Sequence, residues 1–334
     1  MREIVLVNCA YDRSDDSVFT SPRTCERITG GRLARDRGTI YPHVDGVSTE
    51  HSCQAVCLRV LRAERRKSVS GETVLITGAS RGIGRCLALE FAKHGASTII
   101  LWGRDEEKLS SVKKEVEESG KARCHFYRCD VGDREQVYRT IQKVQEDVGA
   151  ITILVNNAGV VHGGALLETK DDNIEDTFRV NTLSHFWTTK SVLPSMLANG
   201  RGHVVGIAST LGLFPLPGVS DYVASKFSVV GFYESLAAEL REQGHRDVSV
   251  TCMCPGHTTT DMFKDLTTQP FSLTPQQVAE QTIEAVKTNQ RRVILPRVMH
   301  LTWILNSWLP GSWMRNVLYV TGAMKDMENF CAKR

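Results

Sequence analysis

The chain has 334 residues, 41% of them hydrophobic, which suffices for the core of one large domain or two ordinary ones. Its 41 basic and 38 acidic residues leave a formal net charge of +3, too weak a field to make nucleic acid the partner. Ten cysteines are scattered without the repeated spacing of a disulfide framework or a zinc site, so reduced thiols and no metal are expected.

Residues 1–70 hold no sustained period of 2 or 3.6 and mix Pro22, Gly30-Gly31, Pro42 and Asp15-Asp16 with many arginines, which reads as a poorly ordered extension. The opening apolar run, Ile4 to Val7, is too short for a secretory signal. At the end of the extension Arg59, Arg62, Arg65, Arg66 and Lys67 stand among Leu58, Val60 and Leu61. Two readings are open for this segment, a basic membrane-surface element and a solvated charge run.

From Glu72 short β-branched runs alternate with longer amphipathic ones, the pattern of a parallel sheet covered by helices on both faces. The first strand, Thr73 to Thr77, runs into Thr77-Gly78-Ala79-Ser80-Arg81-Gly82-Ile83-Gly84 and a helix over 85–94. Glycines permit the tight turn and close backbone approach, and free amides at the helix start favour anions, so a pyrophosphate docks here. The second strand, Thr98 to Trp102, ends in Gly103-Arg104 with no carboxylate at its tip. Arg104, with Arg81, matches a 2′-phosphate in charge and geometry, which favours NADP(H). Against that stand two simple alternatives, solvated arginines and Asp105 as a ribose ligand.

A helix over Asp105 to Ser119 leads to a third strand, Cys124 to Cys129, then Asp130-Val131, an acceptor and an apolar wall for adenine. A helix over Asp133 to Val148 precedes the fourth strand, Ile151 to Asn156, whose end Asn156-Asn157-Ala158-Gly159 supplies small residues and amides for a cofactor floor. Next comes an amphipathic run from Asp171 to Leu197 that contains Asn181. Ser209 follows the fifth strand, His203 to Ala208, where its hydroxyl can hold a carbonyl oxygen. Tyr222 and Lys226 stand at i and i+4 in a helix over Asp221 to Leu240, so one face carries a phenol beside an ammonium, which favours the phenolate and suits acid–base work.

A sixth strand, Val248 to Cys252, Pro255-Gly256 and an apolar segment with Met262, Phe263, Leu266 and Phe271 follow, then a helix over Thr274 to Thr288 and a seventh strand, Arg292 to Leu295. Beyond it Trp303, Trp308 and Trp313 lie among Leu301, Ile304, Leu305 and Leu309, bracketed by Arg297 and Arg315. This tail suits either a membrane interface or a core or dimer-packing helix pair. Polar residues, Pro310 and Gly311 argue against a simple spanning helix over 298–314.

The glycine turn, Asp130-Val131, Asn156-Asn157-Ala158-Gly159, Asn181, Ser209, Tyr222-Val223-Ala224-Ser225-Lys226 and Pro255-Gly256 together resemble the short-chain dehydrogenase/reductase family over about residues 72–295. The resemblance implies a doubly wound Rossmann α/β domain at 71–296, a seven-stranded parallel sheet with helices on both faces, between the extension at 1–70 and an apolar, Trp-rich segment at 297–334. It implies Tyr222 as acid/base, Lys226 lowering its pKa and holding the nicotinamide ribose, Ser209 orienting substrate and Asn181 supporting a proton relay. Gly78, Ser80, Arg81, Gly82, Ile83, Gly84, Arg104, Asp130, Val131, Asn157, Ala158 and Gly159 are then the cofactor-binding set, with Pro255, Gly256 and Thr258 beside the nicotinamide.

Leu101-Trp102-Gly103-Arg104, Val160-Val161-His162-Gly163, Phe186-Trp187-Thr188-Thr189-Lys190 and His257-Thr258-Thr259-Thr260-Asp261-Met262-Phe263 resemble the membrane-associated retinal reductase branch and its hydroxysteroid dehydrogenase relatives. That branch implies NADPH-dependent reduction of all-trans-retinal to retinol, with a 17β-hydroxysteroid or other lipid alcohol as the alternative substrate. It also implies an endoplasmic reticulum or lipid-droplet membrane, the domain facing the cytosol, and a homodimer through the helices around Asn181 and Tyr222. Members carry a hydrophobic anchor ahead of the glycine turn; residues 1–70 contain none, which makes a cytosolic protein the alternative. Outside catalysis the rival is an NADP(H)-binding scaffold at a lipid surface.

Overall fold

The computed structural model describes residues 66–120, 122–263 and 271–309, with Trp313 and Asn316. Seven strands, β1 (Thr73–Thr77), β2 (Thr98–Gly103), β3 (Arg123–Arg128), β4 (Ile153–Asn156), β5 (Gly202–Ile207), β6 (Val248–Pro255) and β7 (Arg292–Leu295), form one parallel sheet in the order β3-β2-β1-β4-β5-β6-β7. The helices are α1 (Gly82–Lys93), α2 (Glu106–Ser119), α3 (Arg134–Asp147), α4 (Asp171–Phe178), α5 (Ser184–Ala198), α6 (Ser220–Glu242), α7 (Pro275–Lys287) and α8 (Met299–Trp308). All seven expected strands are present, and β6 runs on to Pro255 because Cys254 and Pro255 pair with Ile294 and Leu295 of β7.

Strand alternation divides the core between two faces. Leu75, Ile100, Leu154 and Val204 meet Val137, Ile141, Val192, Met196 and Val229 from α3, α5 and α6. Their neighbours Val74, Ile76, Ile99, Leu101, Val155 and Val205 meet Leu87, Phe91, Leu109, Val112 and Ile283 from α1, α2 and α7. Burial on both sides explains why the inner strands β1 and β2 read as continuous apolar runs, whereas the edge strand β3 does not.

Helix starts follow side-chain caps legible in the sequence. Asp105 accepts from the Lys108 amide at 3.1 Å, and Asp133 accepts from the Glu135 and Gln136 amides. Thr274 and Gln277 form a reciprocal capping box with Pro275 in the first turn of α7.

Three expectations change. The single run over Asp171 to Leu197 is divided by a π-turn, Arg179–Leu183. Asn181 bonds to the Val160 backbone, and the Thr182 hydroxyl donates to the Ser225 carbonyl at 3.1 Å, so tertiary hydrogen bonds set the wider turn. In the second change, residues 66–70, assigned to the extension, dock on the domain. Val69 is buried, the Lys67 amide donates to the Lys287 carbonyl at 2.8 Å, and the Lys67 ammonium lies 2.7 Å from His203 Nδ1. Arg66 pairs with Glu284, so the last two cations of the proposed membrane-surface segment are engaged by protein; Leu58 to Arg65 lie outside the described residues, as do residues 1–57.

The third change concerns the tryptophan-rich tail. The Arg292 guanidinium stands 4.6 Å from the Trp303 ring centroid and Trp303 packs on the core, whereas Leu301, Ile304 and Trp308 are exposed. Trp303, with Met299 of the same helix, follows the core-packing alternative. Among the described residues no helix is long and apolar enough to cross a membrane. Arg315 and Leu266 lie outside the described residues.

The chain winds outward from β1 to β3, then returns across the sheet to β4. A crevice therefore opens between the carboxyl ends of β1 and β4, where loops leave in opposite directions.

Candidate active site

At that crevice Thr77 closes β1, and its hydroxyl oxygen accepts from the Asn157 and Ala158 amides at 3.0 and 3.1 Å. The Asn157 side chain donates to the Thr77 and Gly78 carbonyls at 2.9 and 3.2 Å, pinning the glycine turn to the end of β4. Gly78 has φ +65°, and a Cβ there would lie 2.8 Å from Ala158 Cα; one on Gly84 would lie 2.3 Å from the Gly78 carbonyl. Arg81, at the start of α1, makes no side-chain cap, so no side chain of its own caps the first-turn amides. The result is a cradle without side chains, facing a helix N-terminus: the chemistry a pyrophosphate requires.

The cradle opens into a cleft of about 380 Å³. Ser80, Arg81, Gly82, Ile83, Arg104, Asp130, Val131, Ala158, Gly159, Pro255, Gly256 and Thr258 line it, as do Ser209, Tyr222 and Lys226. Of the expected set, Gly84 and Asn181 lie behind the lining and hold it in shape. At the nucleotide end the Arg104 guanidinium stands 3.9 Å from Asp130, and Arg81 stands 3.7 Å from Asp261. Asp130 also accepts from the Gly132 amide at 2.9 Å. Asp105, the alternative ribose ligand, is instead engaged as the α2 cap and in an ion pair with Lys108 at 2.7 Å.

At the other end Tyr222 and Lys226 rise from one face of α6, both buried. The Lys226 ammonium lies 5.6 Å from the Tyr222 ring centroid and donates to the Ile207 carbonyl at 3.0 Å. Ser209 opens a short 3₁₀ turn, Thr210–Gly212, accepts from the Leu211 amide at 3.1 Å and directs its hydroxyl proton towards Tyr222. Asn181 accepts from the Val160 amide at 2.8 Å and donates to the Val160 carbonyl at 2.9 Å and to Ser225 Oγ at 3.1 Å. A Cβ on Gly159 would lie 3.4 Å from Asn181 Oδ1 and 3.8 Å from Lys226 Nζ, so this glycine keeps side-chain atoms out of the gap between them.

The electrostatics differ from the expected depression of the phenol. Burial pushes the Tyr222 hydroxyl well above its ordinary value, and a hydrogen bond from Ser209 opposes that shift without cancelling it. Burial likewise lowers Lys226 from 10.5 to about 8, opposed by the Cys252 and Cys254 sulfurs. Desolvation is the largest influence on each group, and the phenol is held neutral.

Sequence reading missed Lys108, Thr260 and Asp261 as lining residues and Ser225 as the link from Asn181 to α6. The Asp105–Lys108 spacing of three at a helix start was a usable signal for the first. Nothing local marked Ser225, whose role arises where the π-turn meets α6. On the substrate side Val161, Val219 and Tyr222 form an apolar cluster with Leu211, Leu216, Val223 and Met262.

Comparison with known proteins agrees with this geometry. The short chain dehydrogenase family model matches residues 72–270. Human short-chain dehydrogenase/reductase 3 is 45% identical over 275 residues, covering 81% of this chain and 90% of the relative. Human retinol dehydrogenase 10 is 40% identical over 306 residues, covering 83% and 89%. A metagenomic short-chain oxidoreductase solved with NADP superposes with TM-score 0.59 at 30% identity, over 68% of this chain and 97% of that one. A Burkholderia phymatum short-chain dehydrogenase/reductase solved with NAD gives 0.66 at 26% identity, over 72% and 94%. Parallel sheet, glycine cradle and buried phenol–amine pair thus coincide with sequence kinship over most of the chain, which belongs to the short-chain dehydrogenase/reductase family of oxidoreductases.

Proposed function

We propose that this protein reduces a lipophilic carbonyl with NADPH, all-trans-retinal to all-trans-retinol, in a reversible reaction. The observation that carries the reading is a neutral phenol, Tyr222, at the junction of a cation-lined nucleotide cleft and an apolar wall. The cofactor, when bound, supplies the hydride. Tyr222 donates its proton to the substrate oxygen, a step for which a protonated phenol is the required form, because an alkoxide is much the stronger base. Ser209 donates a hydrogen bond to the same oxygen. Lys226, aimed by the Ile207 carbonyl, holds positive charge beside the phenol and offers protons to the nicotinamide ribose hydroxyls. Asn181 fixes Val160 and, across Gly159, faces Lys226, where a relayed proton can pass.

NADP(H) is favoured over NAD(H) by Arg81 and Arg104 at the nucleotide end, whereas Asp105 is already engaged. The retinoid reading draws on the kinship with retinol dehydrogenase 10 and on the apolar residues around Tyr222. Exposed Leu301, Ile304 and Trp308 of α8 support association with a lipid surface, on the endoplasmic reticulum or lipid droplets, with the domain in the cytosol. Exposed Leu183, Phe186 and Phe227 beside Asn181 and Tyr222 support pairing in a homodimer.

The test is a substrate panel with both cofactors, with retinoid and steroid products resolved by chromatography. All-trans-retinal with NADPH should give the highest kcat/KM. Turnover of 17β-ketosteroids without retinal turnover would overturn the retinoid reading, and equal use of NADH would overturn the cofactor reading.

A further inference from the structure

Three cations line the nucleotide end, and each faces a carboxylate: Arg81 faces Asp261 at 3.7 Å, Arg104 faces Asp130 at 3.9 Å and Lys108 faces Asp105 at 2.7 Å. The first two separations exceed hydrogen-bond length. Only Lys108 is in direct contact, and it holds Asp105 by two routes, because the Lys108 amide also donates to Asp105 Oδ1 at 3.1 Å. Asp105 stands two residues beyond the tip of β2, where a carboxylate would accept ribose hydroxyls and repel a 2′-phosphate. Without Lys108, the two arginines at this end would face three carboxylates, Asp105, Asp130 and Asp261, a balance hostile to a phosphate dianion.

We propose that Lys108 is a specificity-determining residue that acts in two ways: with NADP(H) its ammonium joins Arg104 in receiving the 2′-phosphate, and with NAD(H), which lacks that phosphate, it stays paired with Asp105 and withdraws that carboxylate from the ribose. The inference rests on the NADPH reading above and adds a residue and a device to it. A lysine suits the role because its flexible stem lets one charge swing from carboxylate to phosphate while its amide continues to hold the cap. The exposure of the pair, 59% for Lys108 and 40% for Asp105, makes that exchange inexpensive, since surface ion pairs contribute little.

The experiment is calorimetric titration of the full chain with 2′,5′-ADP and with 5′-AMP, which isolates the 2′-phosphate without catalysis. Wild type should bind 2′,5′-ADP the more tightly. Lys108→Met should weaken 2′,5′-ADP about tenfold and leave 5′-AMP within about twofold. The same variant should gain about threefold in NADH-dependent kcat/KM, because Asp105 keeps its cap but loses its ion pair and can accept a ribose hydroxyl. Adding Asp105→Asn, which keeps a capping acceptor and removes the charge, should erase the NADH gain. Unchanged 2′,5′-ADP affinity in Lys108→Met overturns the phosphate role. An NADH gain that is absent, or that survives Asp105→Asn, overturns the carboxylate role. Wild type that binds both nucleotides equally overturns the NADPH reading itself, an outcome distinct from either.

Discussion

Lys226→Met should separate stability from activity, and the direction follows from burial. Lys226 is 3% exposed, and desolvation moves its amine from 10.5 to about 8. That displacement corresponds to roughly 3 kcal/mol, borne by the folded protein at pH 7, where the buried amine is still charged. Methionine fills the same volume without charge, while loss of the donor to the Ile207 carbonyl costs about 1 kcal/mol. The variant should therefore be more stable than wild type by about 2 kcal/mol at pH 7, with kcat down at least about a hundredfold. The pH dependence makes the attribution specific. Between pH 8 and 10.5 an unfolded lysine binds a proton that the folded one has released, so wild-type stability rises with pH across that window and the variant's does not. By pH 10.5 the order should reverse. Urea unfolding without cofactor at pH 7, 9 and 10.5, followed by circular dichroism, reads the difference. A variant less stable than wild type at pH 7, by a margin independent of pH, would refute the desolvation argument.

Tyr222→Phe should lower kcat for retinal reduction by about 10²–10⁴ while leaving NADPH affinity, measured by fluorescence titration, within about threefold; near-normal turnover would remove the phenol from the chemistry. Burial holds His185 neutral down to about pH 3, with Nδ1 3.0 Å from the Tyr233 hydroxyl. The unfolded chain takes up that proton near pH 6.5, so stability should fall as pH drops from 6.5 towards 3, and Tm plotted against pH should flatten in His185→Gln. An identical acid slope in the variant would assign the acid sensitivity elsewhere.

Much of the fold was legible because its determinants are local. Strands buried on both faces must be apolar throughout, as Val74 to Ile76 and Ile99 to Trp102 are, and helices that begin at Asp105, Asp133 and Thr274 carry their own caps. The cradle was legible for a related reason: Gly78 needs a positive φ and an absent Cβ, requirements written in one residue type. The π-turn at Arg179–Leu183 was not, since it depends on Asn181 reaching Val160 and Thr182 reaching Ser225, contacts between segments distant in the chain.

The sequence by itself pointed to the doubly wound architecture, the cradle and the phenol–amine pair, the first two through residue type and spacing and the last through its order after the glycine turn and the family resemblance. Tertiary structure alone decided their electrostatic state. The expectation of an acidified Tyr222 followed from the charge of its neighbour, whereas the depth at which α6 sits against β5 and β6 makes desolvation dominant for both groups. It likewise decided that Lys67, part of a run of cations in the sequence, ends half-buried against His203. Burial is a sum over surroundings that no single segment encodes, and it governs how strongly each charge is felt.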